Sequence, residues 1–222
     1  MSNKIPKIIH QIWIGDPNKM PTEFMETWKM GGWTYMLWNE KAIDIFGLEL
    51  RDLYDFFYKQ KNYHGASDVV RVEVLKRFGG IYIDADTERI EQINDAPFIE
   101  ASFFAVEANR SRGVKAGQTR IANGIIGSVA NHPIIEIYAR EMAKAKIPEE
   151  VLPPWSTIGG SMLTSVIYDF MGGPRQMAKS GVMILEPHTF YPFDSAGNPS
   201  RTKGKTYARH IWGTTHNIYG KI

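Results

Sequence analysis

Two acidic residues separated by a single residue, Asp84 and Asp86, stand at the end of the apolar run Ile81-Tyr82-Ile83. In an extended segment alternate side chains share a face, so both carboxylates point one way while Ala85 turns away. Neighbouring carboxylates repel unless one takes a proton or a cation lies between them. A hard divalent ion, Mn2+ or Mg2+, suits such a pair and shares its other positions with phosphate oxygens and water. In open α/β sheets, ligands bind outside the carboxyl ends of strands, and this pair occupies such an end. A metal-free turn has the same local sequence, because Asp favours turns.

The preceding segment favours the metal. Ser67 reads as the cap of a helix from Asp68 to Phe78, with Val69, Val72, Leu75 and Phe78 along one face. Gly79-Gly80 ends that helix and returns the chain into Ile81 to Asp84. Asp68 and Arg71 lie three residues apart, hence on one helical face, and the tight return sets them beside the Asp-Ala-Asp strand. Both are expected at the same cleft. Asp86→Ala is expected to remove activity and leave the fold intact.

Around this corner the chain alternates. Strands are expected at Lys7–Gly15, Thr34–Trp38, Ser102–Val106, Ile121–Ser128 and Val182–Leu185. Helices are expected at Thr22–Met30, after a cap at Asn39, within Leu48–Lys61, and at Pro133–Lys146 and Gly159–Phe170. The pattern predicts an α/β fold, a mostly parallel central sheet flanked by helices, in one domain over 1–222. A net charge of +2 points to no nucleic-acid partner, and the absence of cysteine excludes disulfides and thiolate sites. The first residues lack the apolar core of a signal peptide and no segment is long and apolar enough to span a bilayer, so a cytoplasmic protein without a transmembrane segment is expected.

The run Ala66-Ser67-Asp68-Val69-Val70-Arg71 through Gly79-Gly80-Ile81-Tyr82-Ile83-Asp84-Ala85-Asp86 resembles the DXD-motif sugar transferase family. That family includes fungal initiating mannosyltransferases and bacterial capsule and lipooligosaccharide transferases, and is related to clostridial glucosylating toxins. Ile5 to Gly15 resembles its opening strand, Asn123 to Ser128 with His132-Pro133 its middle motif, and Tyr207 to Trp212 its closing one. The resemblance implies a GT-A (Rossmann-like) fold and retaining transfer of a hexose-type sugar from a UDP- or GDP-sugar to a glycan or other hydroxyl acceptor. It implies a base-stacking role for Trp13, ribose and sugar contacts from Asp68 and Arg71, and ribose and metal contacts from Asp84. The catalytic set it implies is Asp84, Asp86 and Arg71; the donor-binding set is Trp13, Asp68, Arg71, Asp84 and Trp212; the metal set is Asp84, Asp86 and His210. Where relatives usually read His-His-Trp, this chain has His210-Ile211-Trp212, with His216 in place of a later Trp.

Two other readings stay open here. One is a catalytically silent carbohydrate- or nucleotide-sugar-binding protein of the same fold. The other is an aspartyl-phosphate phosphohydrolase, which also sets Asp-x-Asp at a strand end but wants Thr or Val two residues later, where this chain has Glu88. Arg110, Arg112, Lys115 and Arg120 form a basic loop that reads first as a solvated surface and otherwise as a lid or acceptor contact, and Trp155 reads as an acceptor platform or a loop anchor. His10, His64 and His188 read as structural.

Overall fold

The computed structural model describes residues 4–110, 114–145, 157–177, 180–213, 215, 216 and 218. In chain order its elements are β1 (Ile8–Ile12), α1 (Thr22–Glu26), β2 (Thr34–Trp38), α2 (Glu40–Phe46), α3 (Arg51–Lys59), α4 (Tyr63–Phe78), β3 (Gly80–Ile83) and β4 (Thr87–Arg89). There follow β5 (Phe103–Glu107), β6 (Ile121–Ser128), α5 (Pro133–Lys144), α6 (Gly160–Ser165), α7 (Pro174–Met177), β7 (Val182–Leu185) and β8 (Ala208–His210).

Six strands form the central sheet in the order β2-β1-β3-β6-β5-β7. Only β6 runs against its neighbours, so the sheet is mostly parallel, as the alternation predicts. Alternate residues feed two cores. Tyr82, Phe103 and Ala105 pack with α3, α4 and α5, whereas Ile81, Ile83, Phe104 and Val106 pack with Trp28, Phe98 and Phe190. A sheet covered on both faces explains why its strands read as unbroken apolar runs.

Helix α4 corrects one expectation. It starts at Tyr63, with the Asn62 side chain accepting from Gly65 N–H, so Ser67 lies inside the helix and caps nothing. Its residues from Asp68 to Leu75 are buried on every side, because α4 lies between the sheet, α3 and α5. The expected apolar stripe was one edge of that burial. Asn39 does cap α2, accepting from Ala42 N–H. The helix expected at Gly159–Phe170 is α6 followed by a wider turn at Val166–Phe170. Strand β1 stops at Ile12, leaving Trp13 just beyond its end. Arg112, Lys146 and Trp155 lie outside the described residues.

Candidate active site

The return from α4 into the sheet needs both glycines. Gly79 has φ +64°, and a Cβ there would meet Ala130 N at 2.6 Å and Ser128 O at 2.8 Å. Gly80 has φ +96°, with a Cβ 2.7 Å from Ile8 O. Such positive φ is cheap only for glycine. The short return sets the inner face of α4 against the C-terminal end of β3.

Asp84 and Asp86 are not on a strand. β3 ends at Ile83, and Thr87 N–H donates to Asp84 O at 3.1 Å, closing a turn that leads into β4. A turn, and not strand alternation, brings the two carboxylates together. The Asp84 amide donates to Gly124 O at 2.9 Å, and Tyr82 hydroxyl donates to Asp84 Oδ1 at 2.6 Å. Gln11, fully buried at the end of β1, donates to Asp84 O at 3.4 Å and accepts from Tyr35 hydroxyl at 2.8 Å.

Asp68 and Arg71 do reach this corner, as their spacing implies. Arg71 lies 3.0 Å from Asp68 Oδ1 and 3.5 Å from Asp84 Oδ1, donates to Asn123 O at 2.6 Å, and sits 4.4 Å above the Tyr82 ring. Asn123 Nδ2 donates to Asp68 Oδ1 at 2.8 Å. Burial raises the Asp68 pKa, with Arg71 opposing it. For Asp84 burial also pushes upward, yet Arg71 and His210 win and hold the carboxyl at about 2. It is therefore ionised at any physiological pH.

The tail supplies the third side. β8 pairs antiparallel with β4, aligning His210 with Thr87. His210 Nε2 stands 3.2 Å from Asp84 Oδ2 and 3.3 Å from Asp86 Oδ1. Asp86 holds the tail in return, its carbonyl accepting from Ile211 N–H at 2.9 Å and its Oδ2 from Gly213 N–H at 2.8 Å. Truncating Asp86 therefore loosens the tail as well, so Asp86→Ala does not leave the fold as untouched as the sequence suggests. Trp212 adopts φ +59°, packs 4.3 Å from the His210 ring, and donates its amide to His210 Nδ1 at 3.0 Å. Burial pulls the His210 pKa down, but the Asp86 and Asp84 carboxylates outweigh it and the net shift is upward.

One ligand atom from each of Asp84, Asp86 and His210 lies within 4.8 Å of the others. Two carboxylates and an imidazole form a donor set that Mn2+ accepts readily and Mg2+ less so. The charge count agrees: Asp68, Asp84 and Asp86 face one guanidinium, Arg71, and a dication offsets the excess. The residues present therefore fit a divalent metal.

Other expected residues fall around this cluster or apart from it. Trp13 is half-buried past the end of β1, its indole N–H donating to Asp16 O at 3.0 Å. The parallel pairing of β1 with β3 brings it out at the same sheet edge as Asp84. His216 is exposed. Of the basic loop's described residues, Arg110 pairs with Asp194 at 2.7 Å and Lys115 with Asp169 at 2.9 Å. His10 is structural, bonded to Gly79 O and to the Trp38 indole N–H inside the sheet. Gln11, Tyr82, Asn123, Gly124 and Tyr191 at this corner were not assigned roles from sequence. Tyr82, Asn123 and Gly124 lie inside the motif segments, and a Gln inside an apolar strand is a further visible signal, since buried amides need partners.

Residues 22–103 match the family model described as a glycosyltransferase sugar-binding region containing a DXD motif. An uncharacterized glycosyltransferase of Acanthamoeba polyphaga mimivirus is 32% identical over 148 residues, covering 62% of this chain and 55% of that protein. A mannosyl phosphorylinositol ceramide synthase of Saccharomyces cerevisiae is 28% identical over 200 residues, covering 82% of this chain and 48% of that one. The chain spans about half the length of these curated relatives. Among solved structures, the PaToxG glycosyltransferase superposes with a TM-score of 0.58 at 19% identity, over 80% of this chain and 74% of that one, which supports the GT-A fold. Over residues 22–103 the chain is thus similar to the DXD-motif sugar transferases. No described helix is long and apolar enough to cross a membrane.

Proposed function

We propose that this chain is a single-domain, metal-dependent glycosyltransferase that moves a hexose from a nucleoside-diphosphate sugar to a hydroxyl acceptor with retention at the anomeric carbon. The observation that carries the reading is the convergence of Asp84, Asp86 and His210 at the sheet edge, backed by the buried Asp68–Arg71–Asn123 network. Asp84, Asp86 and His210 would hold Mn2+ or Mg2+. When bound, that ion supplies Lewis-acid stabilisation of the charge on the departing diphosphate.

Arg71 is then a positioning residue. It is almost wholly buried and acts through Asp84, keeping that carboxylate ionised and aimed. Asp68 keeps Arg71 oriented, and Trp13 is available as a platform for the base. Trp212, beside His210, screens the site from water. Several relatives are named for mannosyl transfer, so a GDP-sugar carrying mannose stands first among donors to screen, with UDP-sugars next. No carboxylate is assigned as a nucleophile: Asp194 is engaged by Arg110, Ala196 and Asn198, and Glu107 pairs with Arg201. For retention, the family resemblance favours attack by the acceptor on the leaving-group face.

The test is donor turnover in the presence and absence of Mn2+. Wild type should release nucleoside diphosphate from the matching sugar nucleotide only with metal, and Asp86→Asn should lower that rate by about two to three orders of magnitude. Full turnover in EDTA sinks the metal assignment. Tight donor binding with no turnover, with any acceptor or with water, favours the silent binding protein.

A further inference from the structure

Tyr191 enters the same corner from the loop after β7, and its backbone is held on both sides. Its amide donates to Pro187 O at 2.7 Å, and its carbonyl accepts from Asn109 Nδ2 at 2.8 Å. The ring packs against His210 and Trp212, at centroid distances of 5.8 and 5.9 Å. The residue is 3% exposed, and its hydroxyl has no hydrogen-bond partner among the described residues. That hydroxyl lies over the bare backbone of Gly124: a Cβ there would stand 3.0 Å from it and would overlap Asp84 Oδ2. Tyr191 hydroxyl and the Asp84 oxygen that meets His210 thus converge on one spot.

A buried phenol normally finds a partner, and phenylalanine would fill this space without the cost of an unmet hydroxyl. The oxygen is therefore placed for something that arrives. Asp84 and Asp86 repel phosphate, and Arg71 is already engaged by Asp68, Asp84 and Asn123. Tyr191 is a neutral donor at the acidic spot where a diphosphate needs one.

We propose that Tyr191 is a catalytic residue whose hydroxyl donates a hydrogen bond to a phosphate oxygen of the bound nucleotide sugar. This rests on the nucleotide-sugar reading above and adds a residue to it. When the bond between the anomeric carbon and the diphosphate oxygen breaks, its electron pair stays on that oxygen. The hydroxyl keeps its proton and stabilises the new charge by its hydrogen bond, which strengthens as charge develops.

Tyr191→Phe tests this with three readouts. Thermal unfolding without ligands should show an unchanged or higher Tm, because an unpartnered buried hydroxyl has been removed. Affinity for UDP or GDP in Mn2+ should fall about tenfold, the scale of one hydrogen bond to a charged group. Donor turnover should fall at least as far, with Mn2+ binding alone unchanged. A Tm lower by several degrees would show that the hydroxyl serves the fold, and equal nucleotide affinity in both proteins would remove it from the donor site; either result overturns the proposal. If wild type itself binds neither UDP nor GDP with Mn2+, the nucleotide-sugar reading falls and this assignment falls with it. Binding by wild type that Tyr191→Phe matches defeats the Tyr191 assignment alone.

Discussion

The site has two walls built in opposite ways. One is the α4–β3 return, where Asp68, Arg71 and Asp84 sit on elements buried on all sides and adjacent in sequence. The other is the tail, where His210 arrives from over a hundred residues away at the end of a three-residue strand that pairs with β4, and Trp212 follows just beyond it. In the first wall charge is neutralised by charge inside the core. In the second a histidine is held by the carboxylates it would share with a metal. The first wall should therefore govern stability and the second activity.

The largest expected effect is on the first wall. Arg71→Ala leaves Asp68 buried without its countercharge and should cost about 3–5 kcal/mol in chemical denaturation, the range for breaking one side of a buried pair. His210→Ala should cost about 1 kcal/mol or less, since the β4–β8 ladder survives, while removing most donor turnover. If the two variants unfold at the same denaturant concentration, the contrast between the walls is wrong.

Next comes pH. Burial pulls His10 and His132 down to about 4 in the folded state, so both stay neutral there. Their unfolded forms take a proton near pH 6.5. The stability from these two residues is whole above pH 6.5 and is lost as pH falls toward 4, at about 1.4 kcal/mol per pH unit for each histidine. The tail behaves in reverse. The Asp86 and Asp84 carboxylates favour protonated His210, so a metal must displace that proton and its affinity should rise with pH. Denaturation midpoints over pH 4 to 7, and Mn2+ titrations over pH 6 to 8, check the two trends. A flat stability profile removes the first, and pH-independent metal affinity removes the second.

A smaller effect is expected at the sheet edge, where Trp13→Ala should weaken donor binding by about 1–3 kcal/mol, the range for base stacking. Unchanged donor affinity with a large loss of stability marks Trp13 as packing alone. The smallest is local to the tail. At a pH where His210 is neutral, Nδ1 accepts from the Trp212 amide, and taking up a metal on Nε2 moves the ring proton to Nδ1 and ends that bond. Hydrogen exchange at that amide should speed up with Mn2+ alone, and unaltered exchange argues against His210 as a ligand.

Much of the first wall was legible because its signals are local. Asp68 and Arg71 three apart, two glycines that permit a tight return, and carboxylates at a strand end leave few ways to fold. The helix starts earlier than its local sequence suggests because Asn62 and Ser67 are both good caps, and burial of Gly65 and Ala66 against α3 selects the earlier one. The pairing of Asp84 with Asp86 was read correctly but for the wrong geometry, since a strand and a turn both place alternate carboxylates on one side.

What the amino-acid sequence determined by itself was the α/β alternation, the apolar strands, and the Asp68, Arg71, Asp84, Asp86 set, all of which rest on contacts within about twenty residues. His210 joined that set only through the family resemblance, and the tertiary structure supplied its place beside both carboxylates; it alone decided that Gly124 leaves room for Asp84 and that Tyr191 brings an unmet hydroxyl to the same place. These residues come from β6, the loop after β7 and β8, and no local spacing or periodicity marks them as neighbours. Their meeting depends on sheet order and on the reversal of β6, and those follow from how the two cores pack as a whole.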